Sequence, residues 1–466
     1  MMNSPAIWIF LPLGAAFLLY LLRRRKTLTA IIAVTVALFL AILAWQLKIG
    51  EVTIIGLWSF KIEPSITIAG RSFIISNLDQ PMLIVFYGTL AFWFLGTLVL
   101  QVAPIFFSFG LGMGAVLVAA LSVQPFLYAA LFIEIAVLIG VVALIPLGKP
   151  VNRGVMRYLT YQTIGMMFIL VAGWVLSGID ARGENIENIF RAAILLGFGF
   201  ALLLAVFPLH SWLPMITEKA NSYVASFILS TMLSVIAIFA LDFIERYPWL
   251  QDSMNIFGIL RFAGAVTILI AGIFAAFQRH LGRIIGFALI LEVGRILMTI
   301  SLPVGGDVLN TGLSITRVLS LGIWAMSLTL IFARTGNLRF RTIQGIARRF
   351  PVVSAGVIIA QLSFAGMPLL AGFPIYYLLW EQLLDVGWWP VVVSLLGSVG
   401  LIVSALRSLA VFVMGPEELP WHPDEKNNWL SQILLLAGIA ALFLGGMFPQ
   451  WLTFPIFESG LDTLLR

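Results

Sequence analysis

Apolar residues in this chain fall in long blocks, separated by short polar, basic or proline-rich segments. The blocks lie at 5–22, 28–46, 81–101, 104–123, 126–146, 157–177, 190–214, 221–244, 256–277, 284–303, 312–333, 351–384, 388–413 and 429–447. Each is close to, or longer than, the roughly 20 residues that cross a bilayer as a helix, so the pattern predicts about fourteen transmembrane helices. Residues 47–80 are different. Short β-branched alternations beginning at Glu51 and Ser65 predict a hairpin outside the membrane.

Two blocks are interrupted. The block at 190–214 ends in Phe207-Pro-Leu-His-Ser-Trp-Leu-Pro214, and the block at 351–384 contains Gly366-Met-Pro-Leu-Leu-Ala-Gly-Phe-Pro374. A proline removes an amide donor and crowds the preceding turn, so helices seven and twelve are predicted to break at Pro208, Pro214, Pro368 and Pro374. Inside a bilayer such a break survives only where its freed backbone groups face protein or a water-lined cavity. The first break reads equally well as an interfacial loop anchored by His210 and Trp212. Broken helices at matching places in two parts of a chain point to internal repeats. Units of five helices reverse orientation from one to the next, so the repeats are expected to be inverted. This divides the chain into helices one to three (1–103), a first repeat (104–247), a second repeat (248–414) and a C-terminal helix with its tail (415–466).

Composition fixes the class. With 61% apolar and 10% charged residues, the chain reads as an all-α polytopic membrane protein in contact with lipid. The net charge of +6 bears on topology rather than on nucleic acid. Basic segments at 23–26, 149–157, 279–283 and 334–349 alternate with segments expected outside. That places the N-terminus, the loop with Asp180, Arg182, Glu184 and Glu187, and the tail 448–466 outside, and the loop 415–426 inside. The charges after the first block follow the apolar run rather than precede it, unlike a cleaved signal peptide. There is no Cys, and His210, His280 and His422 are far apart, so no metal or iron–sulfur site is expected in this chain.

Charged residues inside apolar blocks are costly and mark an ion pathway or an ion pair. They are Glu134, Glu292, Arg295, Arg317, Glu381 and Arg407. Glu134 is flanked by apolar residues and reads as a proton-carrying group or half of an ion pair. Glu292 and Arg295 are three apart and share a helix face. Glu292 and Arg317 are expected to lie within salt-bridge reach across neighbouring helices. Arg407 is expected to snorkel and Glu381 to be hydrated.

Several stretches resemble the antiporter-like membrane subunits of respiratory complex I, the multisubunit cation/proton antiporters and the membrane-bound hydrogenases. They are Ser122–Glu134, Arg157–Gly165, Phe207–Pro214, Gln278–Gly294, Leu362–Phe373 and Leu406–Pro416. The resemblance covers nearly the whole chain in order. It implies a row of buried ionisable residues along the membrane midplane, with candidate pathway residues Glu134, His210, Lys219, Glu292, Arg317 and Tyr376. It also exposes departures. Positions expected to carry relay lysines are Leu203, about Ser234 and Leu321. Leucine cannot carry a proton, and serine only hands one on through hydrogen bonds.

The resemblance implies a non-redox membrane subunit of a complex I-type NADH:quinone oxidoreductase or related proton-pumping assembly, with a degenerate lysine relay. Quinone and redox centres are then expected in partner subunits, with other membrane subunits adjacent and hydrophilic redox subunits contacted indirectly. The alternatives are a structural subunit that no longer conducts, a cation/proton antiporter subunit, and a self-standing transporter of another solute.

Overall fold

The computed structural model describes residues 2–55, 58–100, 102–145, 150–177, 186–247, 255–303, 305–415 and 429–450. Lys149, the loop residues Asp180, Arg182 and Glu184, the segment 416–428 with His422, and the tail 451–466 lie outside them. The apolar blocks fold as helices α1 (Leu11–Leu21), α2 (Lys26–Gln46), α3 (Gln80–Gly96), α4 (Ile105–Ser122), α5 (Ala129–Leu144), α6 (Arg153–Ser177) and α7 (Ile186–Leu203). Then come α8 (Trp212–Lys219), α9 (Ser222–Arg246), α10 (Ile256–Phe277), α11 (Leu281–Ile300) and α12 (Gly306–Thr335). The last are α13 (Pro351–Ala365), α14 (Gly372–Val386), α15 (Trp388–Val413) and α16 (Trp429–Met447). The block at 190–214 becomes α7 and α8, and the block at 351–384 becomes α13 and α14.

Among the described residues, ten helices are long and apolar enough to cross a membrane, and three shorter helices are also apolar. Helix α11 is as long as a span but carries Arg283, Glu292 and Arg295. A helix with that charge content is stable in a membrane only when its charges are paired inside the protein.

Residues group into two compact units, Met1–Gly148 with Leu159–Phe200, and Lys149–Tyr158 with Ala201–Arg466. The first unit holds α1–α5 and most of α6 and α7. The single hairpin expected over 47–80 is two hairpins. Strands β2 (Val52–Ile55) and β3 (Trp58–Glu63) pair antiparallel, as do β4 (Ser65–Ile68) and β5 (Arg71–Ile74). Each gains a two-residue partner, β1 (Met2–Asn3) beside β3 and β6 (Val123–Gln124) beside β5. Arg71 donates a hydrogen bond to Tyr128 Oη and stacks 3.9 Å above its ring, tying β5 to the start of α5.

The second unit contains both proline-marked breaks, and they share one construction. Helix α7 ends with Ala205 in the left-handed region (φ 59°), and α13 ends with Gly366 there (φ 84°). In the first case the Ala205 amide bonds Leu202 O and the Val206 amide bonds Ala201 O. In the second, the Gly366 amide bonds Ser363 O and the Met367 amide bonds Leu362 O. Both are Schellman endings. Glycine adopts this conformation freely, whereas at Ala205 it costs roughly 1–2 kcal/mol.

Pro208 and Pro368 lie in the breaks, as expected. Pro214 and Pro374 do not break a helix. Each is the third residue of the resumed helix, α8 or α14, where no amide has an intrahelical partner and proline therefore loses no bond.

Close glycine contacts hold the resumed segment α8. A Cβ on Gly286 of α11 would lie 2.6 Å from Pro214 Cα and 2.5 Å from Thr217 Oγ1. A Cβ on Gly282 would lie 2.3 Å from Thr217 O. The i, i+4 glycines thus form a groove into which α8 settles, the small-residue packing that brings membrane helices together. At the start of α11, His280 Nδ1 accepts from the Gly282 amide at 3.2 Å. Burial is the main cause that pushes the His280 pKa down from 6.5 to about 4, so the ring is neutral near pH 7 and can serve as this acceptor.

This packing yields a contrast between glycines. Gly286→Leu forces α8 away from α11 and is expected to lower the melting temperature of the purified protein by several degrees. Gly197→Ala on α7, where an added Cβ meets nothing within 4 Å, is expected to leave it unchanged or slightly raised. Equal melting of the two variants would show that the groove is not required.

Candidate functional site

Three charged side chains are fully buried among the described residues: Glu292, Arg295 and Arg317, each 0% exposed. Two lie on α11 and one on α12. The expected pairing is present, with Arg317 Nη1 3.5 Å from Glu292 Oε1. Arg295 Nη1 donates to Glu292 Oε2 at 3.2 Å, so one carboxylate faces two guanidinium groups. Tyr376 of α14 is also buried and donates its hydroxyl to Glu292 Oε2 at 3.4 Å. Arg295 lies 3.7 Å above the Tyr376 ring, a cation–π contact.

Each arginine has a further task. Arg295 Nη1 donates to Phe364 O at 3.0 Å, and its Nη2 donates to Ser398 Oγ at 2.9 Å on α15. Phe364 is in the last turn of α13, where carbonyls lose their helical partners. Within that turn, Leu362 O and Ser363 O are taken by the Schellman amides. Arg295 therefore satisfies a carbonyl freed by the break, at the negative end of the helix dipole. Arg317 Nη2 donates to Ser234 Oγ of α9 at 2.6 Å and to Ser314 Oγ at 2.9 Å. Ser234 donates its own proton to Ser230 O, and Ser314 donates to Asn310 O. Both serines thus present lone pairs to Arg317.

The other sequence-selected residues lie elsewhere. Leu203 and Leu321 are buried apolar side chains, 2% and 0% exposed. Ser234, at a position expected to carry a relay lysine, is occupied by Arg317. Lys219 is exposed at the end of α8 rather than in the buried row, because the resumed helix is only eight residues long and carries it out of the packed region. The neighbouring Glu218 pairs with Arg283 at 2.7 Å. His210 sits in the first break, half-buried, with its ring stacked on Phe207 at 5.4 Å.

In the first unit, Glu134 is half-buried, and its Oε1 accepts from Thr163 Oγ1 of α6 at 2.6 Å. Arg407 is partly exposed and donates to Ala276 O, and Glu381 is exposed. The sequence marks Arg295 only as a charge on the same helix face as Glu292. Its grip on Phe364 O and Ser398 depends on distant helices meeting and leaves no local signal. Among the described residues no three of His, Asp and Glu converge as a metal-binding group.

The charge count makes the two members of the pair unequal. Removing Glu292 leaves two buried cations without a carboxylate, and breaking a buried pair in this way costs about 3–5 kcal/mol. Removing Arg317 leaves Glu292 still bonded to Arg295. Glu292→Gln is therefore expected to destabilise the protein clearly more than Arg317→Gln, by melting in detergent at low salt. The reverse order would refute the cluster as described.

Comparison with known proteins gives the family and the fold. Residues 126–402 match the family model described as NADH:quinone oxidoreductase/Mrp antiporter, TM. The chain is 25% identical over 338 residues to NADH-quinone oxidoreductase subunit N of Ectopseudomonas mendocina, covering 66% of each protein. It is 27% identical over 276 residues to subunit N 2 of Thermodesulfovibrio yellowstonii, covering 58% of each. A probable K(+)/H(+) antiporter subunit of Rhizobium meliloti matches at 24% over 321 residues, 65% of this chain and 31% of the relative. The chain thus spans 66% or less of the length of these curated relatives.

Solved structures share the fold over 99% of this chain. One is from the archaeal membrane-bound sulfane sulfur reductase (18% identity, TM-score 0.80, 97% of that chain). Another is from respiratory complex I of Thermus thermophilus (21%, 0.77, 98%). A third is from the Mrp complex of Dietzia sp. DQ12-45-1b (16%, 0.80, 99%). With the family model covering more than half of its length, the chain belongs to the NADH:quinone oxidoreductase/Mrp antiporter transmembrane family.

Proposed function

We propose that this chain is an antiporter-like transmembrane subunit of a complex I-type quinone oxidoreductase or a related redox-driven ion-pumping assembly, and that its buried cluster is a fixed ionic clamp rather than a link in a proton relay. The observation that carries this reading is Arg317. A relay residue must take up and release a proton, whereas arginine stays protonated. Here it is held by Ser234, Ser314 and Glu292 on three helices. Leu203 and Leu321, buried and apolar, leave no titratable group at two further positions.

On this reading the quinone and redox centres belong to partner subunits, and neighbouring membrane subunits pack against this one in the bilayer. The N-terminus lies outside and the basic loops inside. Two inverted five-helix repeats, over 104–247 and 248–414, account for the matching construction of the two breaks. Glu134, hydrogen-bonded to Thr163, is then a remnant or serves a neighbouring subunit.

Two measurements test the proposal. Cysteines placed at Arg24 and Arg341 are expected to be shielded from an impermeant thiol reagent in intact cells, and labelling of both would overturn the orientation. In the assembled complex in vesicles, Glu134→Gln is expected to leave the ratio of ions pumped to electrons transferred nearly unchanged. Loss of pumping with assembly and electron transfer intact would show that this chain conducts without lysines.

A further inference from the structure

The cluster at Glu292 does not balance its charge. Among the described residues, the fully buried charged groups are one carboxylate and two guanidinium groups. The arginines stay protonated, so these three groups carry a surplus of one positive charge. A partner subunit cannot touch the cluster, because all three side chains are 0% exposed.

The surplus falls on Arg317. Arg295 has its own compensation: Glu292 at 3.2 Å, the Phe364 carbonyl at the negative end of α13, Ser398 and the face of Tyr376. Arg317 has two neutral hydroxyl oxygens on Nη2, and its Nη1 faces Glu292 Oε1 at 3.5 Å without a hydrogen bond, while Arg295 and Tyr376 bond the other carboxylate oxygen, Oε2. Its Nε and Nη1 are buried and make no hydrogen bond. A buried guanidinium carries five N–H donors in a fixed plane, and donors unmet in a low-dielectric interior are expensive.

We propose that the cluster binds one small monovalent anion of the chloride class beside Arg317. The anion would accept from the Nε–H, which has no hydrogen-bond partner, and bring the charge of the cluster to zero. A halide suits this place better than an oxyanion because it needs no set of donors in fixed directions. The serines cannot contribute donors, since their protons go to Ser230 O and Asn310 O. This inference rests on the reading of the cluster as a fixed ionic clamp. Its test needs no electron transfer, so loss of pumping in Glu134→Gln would overturn the proposed function and leave anion binding standing.

The experiment is thermal melting of the full-length protein in detergent, titrated with sodium chloride against sodium gluconate at constant ionic strength. Chloride and bromide are expected to raise the melting temperature by a few degrees, saturably, and gluconate is not. Arg317→Gln is expected to abolish the chloride effect. Glu292→Gln doubles the surplus charge and is expected to lower the half-saturating chloride concentration roughly tenfold or more. Wild-type protein that melts identically in chloride and gluconate would overturn the proposal, as would an unchanged chloride effect in Arg317→Gln or weaker chloride binding in Glu292→Gln. Should neither variant fold, bromide anomalous scattering from wild-type crystals decides. A peak beside Arg317 supports the site, and no peak at saturating bromide refutes it.

Discussion

The carbonyl of Phe364 has no helical partner, and no water lies within an apolar membrane interior to supply one. That constraint organises the second unit. A break in a membrane helix frees backbone groups that must be bonded from inside the protein. The Schellman turn at Gly366 takes two carbonyls, and Arg295 takes the next. A cation brought in for this purpose must itself be neutralised, and Glu292, one turn away on α11, does so. Tyr376, just past the break on α14, closes the circuit from the other side. The ionic cluster and the broken helix are therefore joined in one structure.

Arg317 extends this structure to α9 and α12. Its position gives it a different role from that of a lysine. Lysine is a point charge on a flexible stem that gives up its proton when buried, and arginine is a planar fork that does not. With Nη2 between two serines, the fork fixes the relation of α9, α12 and α11. On the proposed reading, permanent dipoles and charges stand where a relay would need titratable groups. Such a subunit can shape the electrostatic field seen by its neighbours and hold the membrane part of an assembly together without passing protons itself.

Much of this was legible in the residues. The apolar blocks mark the helices, and three of them, 256–277, 388–413 and 429–447, coincide with α10, α15 and α16. The proline pairs mark both interruptions, because proline's effect on a helix is local. Less legible was what each proline does. Pro214 and Pro374 sit where a helix starts again, and sequence spacing alone does not distinguish the end of one helix from the beginning of the next. The β-branched alternation over 51–68 identified strands, but not the two-residue partners β1 and β6, which are too short to carry a pattern. The Glu292–Arg317 pairing was foreseeable because each is a charge in apolar surroundings. Arg295's bond to a backbone carbonyl on α13 was not, because backbone groups look alike in every sequence. Lys219 was read as a member of the buried row because it follows the first break, but it closes the eight-residue helix α8 and is exposed.

The central claim is that the cluster stays clamped while the assembly works. The most direct measurement is a pair of high-resolution structures of the assembled complex, one at rest and one trapped during turnover. A fixed clamp keeps Arg317 on Ser234 and Ser314, and Arg295 on the Phe364 carbonyl, in both states. If turnover moves the Arg317 guanidinium off Ser234 to another partner, or opens a water-filled path past Glu292, the cluster is a moving part of an ion pathway and the claim is contradicted.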